Sequence, residues 1–355
     1  MTAPRITTVE ELRRYLYIAM KIEHAVIPPY LLALYSLDPE KNLDARLVLR
    51  AVVVEEMRHL TLAANLLNAI GGRPNLTAPG FVPLYPTFMP DGDDDFQIDL
   101  QPFSKDALNT FLKIERPSQA PSEAQRVVTR TSKANMLARP LGEGQHFYSI
   151  GEFYEEIRRG FDYLHRHHPD ALFTGGMDRQ VTQEYYYSGG GTVFPVTDHD
   201  SARIAIDRII EQGEGFAGGV YDYQGEISHY YRFQELQLEQ HYRPGDAVDK
   251  PTGEKFEVEW DAAYRFKENA RLSDYPASSE LHAAAVAFNQ SYSIFLALLT
   301  TAYNGAPELL MKAVGQMFTL RNAICQLIHN PIPGQDGVNA APTFETCSEE
   351  SVVPA

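Results

Sequence analysis

The sequence predicts an all-α protein built on a four-helix bundle, and three observations support this fold class. First, most of the chain carries apolar residues at helical spacing, and only the stretch KFEVEW alternates convincingly as a strand would. Second, two carboxylates and a histidine interrupt the apolar face of the first helical hairpin. Third, residues 73–147 begin with a segment rich in proline and glycine, which we interpret as a long crossover between helix pairs.

The first hairpin, residues 9–72, contains the most informative side chains. On its first helix, apolar residues recur three and four positions apart, and Glu23 lies in the middle of that face. After a break at residues 38–40, the second helix repeats the pattern with Glu56 and His59 inside it. Residues three apart on a helix point the same way. Glu56 and His59 can therefore offer an oxygen and a nitrogen to one metal ion.

The positions of the two glutamates favour a buried site. Glu23 and Glu56 each lie sixteen to seventeen residues from the centre of the break. In an antiparallel hairpin both then lie at the same depth, about 25 Å from the turn at ~1.5 Å rise per residue. A charged carboxylate at that depth is costly unless it is paired or bound to a metal. A buried ion pair, for instance of Glu56 with Arg58 or His59, is the alternative.

A bridged site for two ions needs about six protein ligands, and the first hairpin offers three. A third helix begins at Ser149, and a fourth begins at Asp200 and ends near Gly213. If these two helices run antiparallel, Glu152 lies at the level of Glu214, and Glu156 lies at the level of Glu211. On pattern alone both choices stay open. The candidate ligands are Glu152 or Glu156, Glu211 or Glu214, and His229, which follows the break after the fourth helix.

Two prolines distort the first helix beside a candidate ligand. Pro28 and Pro29 follow Glu23 by little more than one turn and cannot donate backbone hydrogen bonds. They predict a kink or a π-bulge that re-aims Glu23 and opens access to it. We expect catalysis to depend on Glu23 for this reason, and on Glu56 and His59 as the other two candidate ligands of the hairpin.

The rest of the chain completes a single helical domain, predicted to cover residues 1–330. The metal-binding bundle spans residues 9–241, and two further apolar helices lie within residues 279–329. Residues 331–355 are rich in proline, glycine and serine and predict an extended tail draped over the domain.

Composition limits the partners and the compartment. A net charge of −16, without basic runs, argues against nucleic acid and anionic membranes. No signal peptide is recognised, and we expect no apolar run of transmembrane length. Two cysteines form no disulfide framework, so the cytoplasm is the expected location.

Five blocks, in order along the chain, carry a resemblance to a known family. They are IEHAVIPPYLLALYSL, VVVEEMRHLTLAANLLNAIGG, SIGEFYEEI, IIEQGEG and ISHYYRF. Together they resemble the ferritin-like domain of the iminophenyl-pyruvate dimer synthases and chromopyrrolic-acid synthases, over most of residues 10–240. The resemblance implies a ferritin-like four-helix bundle with a metal-dependent oxidative role in natural-product assembly. It favours Glu152 over Glu156, and supports Glu211, Glu214 and His229.

The expected function is that of a non-haem di-iron oxidoreductase. It would use O2 to oxidise a small, amino-acid-derived substrate, with two iron ions as the cofactor and other divalent metals, a mixed pair or a single ion as alternatives. A redox partner and a homo-oligomer are further options. The alternatives are iron storage or sensing, and a non-catalytic partner subunit of a biosynthetic complex.

Overall fold

In the computed structural model, residues 5–92, 94–118, 147–187, 189–216 and 219–346 are described. Within these ranges the regular structure is helical, with isolated bridges in place of strands, and KFEVEW contributes one such bridge, between Gln240 and Lys255. The all-α prediction is confirmed. The helices are α1 Val9–Ser36, α2 Leu43–Ala69, α3 Lys105–Ile114, α4 Ile150–His167, α5 Pro169–Leu172, α6 His199–Glu214, α7 His229–Leu238, α8 Glu280–Ala302 and α9 Leu310–Ile328.

Four of these helices form the bundle. α1 packs along α2, α4 packs along α6, and contacts of α1 with α4 and of α2 with α6 close the arrangement. The apolar stripes predicted from the sequence face inward, because burying them removes apolar surface from water. Fully buried side chains on α1 and α2 include Leu16, Ala19, Val26, Val52, Ala63 and Leu66. Outside the bundle, α3 contacts α7, and α7 also contacts α2 and α6.

Side-chain caps begin three of the four bundle helices, α1, α4 and α6, whereas Asn42 before α2 makes no such cap. The hydroxyl of Ser149 accepts from the backbone N–H of Glu152, which starts α4 as predicted. α6 starts slightly earlier than predicted, because Asp198 rather than Asp200 is its cap. The Asp198 carboxylate accepts from the backbone N–H of Ser201, and the Ser201 side chain bonds back to Asp198.

The paired prolines do not interrupt α1. The helix continues through Pro28 and Pro29 without a π-helical turn, so the predicted π-bulge is absent. Pro29 cannot donate to the carbonyl of Ala25, and the hydroxyl of Tyr85 donates to that oxygen at 2.7 Å instead. A crossover side chain thus satisfies the carbonyl that the proline leaves free.

The C-terminal region packs against the bundle. α8 pairs with α9, and α9 contacts α1. The tail is held by Tyr275, whose hydroxyl bonds both the carbonyl and the N–H of Ala341 at 2.8 Å, and by a 2.8 Å bond from Asn289 to Thr343. The draped tail is therefore observed as far as residue 346, and residues 347–355 lie outside the described chain.

One expectation about membranes needs correction. Among the described helices, α8 is long and apolar enough to cross a membrane by length and composition. Only 39% of its most apolar window is buried inside the protein. Its length and composition are weak evidence for a membrane span, because apolar core helices of other proteins share them.

Candidate metal centre

Five acidic and histidine side chains meet in the middle of the bundle. α1 supplies Glu23, and α2 supplies Glu56 and His59. Glu115 directly follows α3 as its C-cap residue, and His229 is the first residue of α7. Each is at most 4% exposed. Ligand atoms of Glu56, His59 and His229 lie within 4.8 Å of one another.

His59 faces two carboxylates at a distance suited to a shared ion. Its Nδ1 lies 3.6 Å from Glu23 Oε2 and 3.5 Å from Glu56 Oε2. These separations are too long for hydrogen bonds. Two ligand atoms, each about 2.1 Å from one ion, lie about 3.0–3.6 Å apart at coordination angles of about 90–120°. Each separation is therefore compatible with an ion held by His59 and that carboxylate.

His229 faces a second pair of carboxylates. Its Nδ1 lies 2.8 Å from Glu56 Oε1 and 3.5 Å from Glu115 Oε2. Neither contact has the geometry of a hydrogen bond, so this fully buried nitrogen has no hydrogen-bond partner among the described residues. Buried polar atoms are nearly always satisfied, and a bound cation would satisfy this one.

Glu56 lies between the two histidines and divides the centre into similar halves. Its Oε2 faces His59 and its Oε1 faces His229, whose ring centroid is 5.4 Å from that of His59. Each half therefore contains one histidine, one oxygen of Glu56 and one further glutamate, which is Glu23 or Glu115. This is the arrangement of a carboxylate that bridges two ions.

Buried tyrosines hold the two outer glutamates. The hydroxyl of Tyr154 on α4 donates to Glu23 Oε1 at 2.5 Å, and that of Tyr30 on α1 donates to Glu115 Oε1 at 2.6 Å. In both glutamates the other oxygen, Oε2, faces the nearby histidine. The tyrosines thus orient each carboxylate toward the centre.

The outward nitrogen of each histidine also has a partner. His59 Nε2 lies 2.7 Å from Gln212 Oε1, and His229 Nε2 lies 2.8 Å from Glu55 Oε2. When Nε2 carries the proton and donates it outward, Nδ1 keeps its lone pair for a metal. Both rings therefore have the support that metal-binding histidines usually have.

Burial and charge shift the acidities of these groups strongly. Burial, with the charge of Glu56, raises the pKa of Glu23 to about 7. Burial opposes protonation of His59, but Glu56 and Glu23 outweigh it and raise the pKa of His59 to about 9. Burial also opposes protonation of His229, but neighbouring carboxylates, Glu115 first, hold the pKa of His229 well above its usual value. Without metal, protonated histidines balance the carboxylates, and a metal must displace their protons.

The structure brings together four of the predicted ligands, Glu23, Glu56, His59 and His229, and leaves Glu152 outside. The Glu152 carboxylate accepts from the backbone N–H of Tyr148 at 3.0 Å and is partly exposed. This hydrogen bond holds Glu152 at the start of α4, away from the five residues, so the geometry does not support the prediction that Glu152 is a ligand. Its rival Glu156 bonds the N–H of Arg5 and pairs with Arg159.

The two glutamates of α6 do not supply ligands to the five-residue centre either. Glu211 is partly exposed, and burial together with Asp207 and Asp222 raises its pKa. Glu214 is buried, but its carboxylate accepts from the N–H and hydroxyl of Ser118 and from the N–H of Gly151. It joins the end of α6 to the start of α4.

Glu115 was not among the ligands predicted from the sequence. It lies in the crossover, outside the helices expected to carry ligands, and has no histidine three residues away. A weaker signal was present, because Leu108, Phe111 and Glu115 step by three and four residues along the buried face of α3. Glu115 thus interrupts an apolar face in the same way as Glu23.

A small cavity borders the centre. Its lining includes the carboxylates and histidine Glu23, Glu56, His59, Glu115 and Glu214, and apolar side chains such as Ile150 and Ile209. Its volume is about 20 Å³, enough for about one water-sized molecule.

Comparisons with known proteins agree with this architecture. A family model described as ferritin-like matches residues 16–238. The chain belongs to the ferritin-like family. Its structure is similar to the crystal structure of a ferritin-like protein from Caulobacter vibrioides, with a TM-score of 0.65 and 23% identity over 96% of this chain and 100% of that one. At this identity the similarity shows the fold alone. A search of curated proteins found no match.

The ferritin-like fold predicted from the sequence is thus confirmed, and the centre departs from the symmetric version of that fold. In symmetric centres both helix pairs supply a Glu and a Glu-x-x-His motif. Here α4 and α6 place Tyr154 and Gln212 against the centre, where they support ligands. Glu115 and His229, from α3 and α7 outside the bundle, complete the second half.

Proposed function

We propose that this ferritin-like protein is a non-haem metalloprotein that holds two iron ions and reacts with O2 to oxidise a small substrate. The observation that supports this best is the position of Glu56, whose two oxygens face two different histidines. Each histidine has its own outer carboxylate, Glu23 or Glu115. Carboxylate and imidazole ligands suit iron, manganese and related ions.

The donor set fits such ions. Three carboxylates and two imidazoles are gathered at a site from which water is excluded, and His229 Nδ1 has no other partner among the described residues. The alternative is a metal-free network in which protonated histidines neutralise the glutamates. That network would leave His59 Nδ1 at 3.5–3.6 Å from its carboxylates, beyond hydrogen-bond distance. Metal binding explains these separations better.

The protein's own residues would position and shield the reaction. Bound iron would supply the redox chemistry and the open positions at which O2 reacts. Tyr154 and Tyr30 fix the outer carboxylates, and the apolar walls of the cavity, which include Ile150 and Ile209, keep bulk water away. The size of the cavity favours a small oxidant at the centre.

The finer parts of the proposal rest on the sequence resemblance. They are an amino-acid-derived substrate, a role in natural-product biosynthesis and a link to the iminophenyl-pyruvate dimer synthases. A cytoplasmic location, a redox partner and a homo-oligomer likewise remain predictions. Storage, sensing and a partner-subunit role differ from this proposal in one measurable respect, because none of them requires turnover of an organic substrate with O2.

Anaerobic reconstitution with ferrous iron tests the proposal. We expect about two iron ions per chain by elemental analysis, and Mössbauer spectra that change when O2 is added. Glu152→Gln is a matched control, because Glu152 lies at the start of α4, outside the centre. The control should retain both ions. A wild-type protein that binds no iron after reconstitution would contradict the proposal and favour the metal-free network.

A further inference from the structure

The two histidines of the centre are held by chemically different partners. His229 Nε2 faces a carboxylate, Glu55, whereas His59 Nε2 faces a side-chain amide, Gln212. A carboxylate accepts hydrogen bonds through either oxygen. An amide accepts through its oxygen and donates through its nitrogen. Only the His59 side of the centre therefore depends on which way a side chain is turned.

Two further contacts determine the orientation of that amide. Gln212 Oε1 lies 2.5 Å from Nη2 of Arg58, and Gln212 Nε2 lies 3.2 Å from the carbonyl oxygen of Gly190. A guanidinium only donates and a carbonyl only accepts. Both contacts require the amide oxygen to face Arg58 and His59. His59 Nε2 must then donate its proton, which leaves Nδ1 as the metal-binding nitrogen.

Arg58 is buried as a charge without an ion pair to a carboxylate in the described part of the chain. Its side chain is fully buried, with Tyr223 and Glu55 near it. Its Nε has no hydrogen-bond partner among the described residues, and Nη1 bonds only weakly to the carbonyl of Thr192 at 3.4 Å. A buried cation without a paired anion is costly. Orienting Gln212 explains why the cost is tolerated.

A glycine-rich loop, residues 189–192, packs directly on these groups. Gly190 and Gly191 have φ values of 67° and 112°, which disfavour other residues. A side-chain carbon at Gly190 would lie 2.9 Å from the Cα of Glu55, and one at Gly191 would lie 2.9 Å from Nη1 of Arg58. The loop can therefore approach closely enough to offer its carbonyls to the amide and the guanidinium.

We propose that Arg58 and the glycine-rich loop act through Gln212 to fix the tautomer of His59, and that the two halves of the centre bind metal unequally. The His229 half is the tighter, because an anionic partner increases the basicity of an imidazole more than a neutral amide does. Arg232 reduces this advantage only partly, since its Nη2 is 3.7 Å from the other oxygen of Glu55. Arg58 and Gln212 are positioning residues, and this inference rests on the proposed two-metal function.

Anaerobic titration with Co²⁺, followed by calorimetry and visible absorption, measures both halves. The wild-type protein should show two sites that differ about 10–100-fold in affinity, the range typical for outer-shell partners. In crystals given one equivalent of Co²⁺, anomalous scattering should appear beside His229. Equal affinities, or first occupancy beside His59, would overturn the inference.

A rescue experiment separates orientation from packing. Arg58→Met should weaken the site beside His59 about 10–100-fold, because the amide of Gln212 is then free to turn its nitrogen toward His59. Arg58→Met combined with Gln212→Glu should restore it, because a carboxylate accepts from His59 in either orientation. A packing defect at Arg58 would not be repaired by this second change, so lack of rescue contradicts the inference.

A second pair of variants keeps the test valid if Arg58→Met does not fold. Gln212→Leu removes the acceptor and should weaken the His59 half, whereas Gln212→Glu keeps it and should not. Equal effects would contradict the inference. Failure of the proposed function looks different, because in that case wild-type protein binds no Co²⁺ at the five residues.

Discussion

The first hairpin and the second half of the centre reach a similar geometry by different routes. Glu23, Glu56 and His59 project from the middles of two long helices that pack along their whole length. Glu115 and His229 lie at the end of one short helix and the start of another, outside the bundle. The comparison teaches that candidate ligands can gather on both sides of one carboxylate without two equivalent hairpins. Two helix ends can supply the second half, provided that they pack against the shared carboxylate.

The largest effect is expected from the residue that both halves share. Glu56→Ala should abolish binding of both ions, because it removes an oxygen from each half and leaves His59 and His229 facing an empty space. Elemental analysis after anaerobic reconstitution with iron measures this. Glu211→Gln is a control at a partly exposed glutamate. Retention of two ions by Glu56→Ala would exclude a bridging role.

Loss of one histidine should cost one ion. His59→Ala should empty the half beside Glu23, and His229→Ala should empty the half beside Glu115. The metal content should therefore fall from about two ions to about one in either variant, since each half has a single histidine. If His229→Ala keeps both ions, the second half lies elsewhere, and the comparison between the two regions fails.

The difference between the regions also explains what the sequence could predict. Glu23, Glu56 and His59 were predictable because their spacing along two helices is a local property of the chain. Glu115 gave only a weak periodic signal, since its place in the centre depends on how α3 packs on α7, which periodicity does not report. Glu152 was assigned as a ligand by a resemblance to a family, whereas in the structure its carboxylate accepts from the backbone N–H of Tyr148 at the start of α4.

Metal affinity should depend on pH through the histidines. His59, with its pKa raised to about 9, is protonated at neutral pH in the metal-free protein. A metal must displace this proton, so affinity in the His59 half should rise with pH up to about pH 9. The stability of the metal-free protein should change with pH in the opposite direction. The raised pKa of His59 contributes stability that is fully present below its unfolded pKa of about 6.5. This contribution is lost as pH rises through about 9. Calorimetry in buffers of different ionisation enthalpy should detect proton release at pH 7, and a pH-independent affinity would contradict this account.

The smallest expected effect concerns the tyrosines. Tyr154→Phe removes the hydrogen bond to Glu23, and Tyr30→Phe removes the one to Glu115. Each change should lower the free energy of unfolding by about 0.5–3 kcal/mol, the range that covers hydrogen bonds to neutral and to charged groups. Urea denaturation of the metal-free protein measures this. Similar losses in both variants would show that the two halves are alike in their tyrosine hydrogen bonds as well as in their candidate ligands. A loss in only one variant would show that they are alike in their candidate ligands alone.

A crystal structure of the iron-loaded protein, with anomalous scattering recorded at the iron edge, tests the central claim most directly. The account predicts two iron peaks about 3.5–4 Å apart, a spacing typical of two-metal sites. They should lie on either side of Glu56, one near His59 Nδ1 and the other near His229 Nδ1. A single peak, or a peak beside Glu152 in place of Glu115, would contradict the two-metal centre described here.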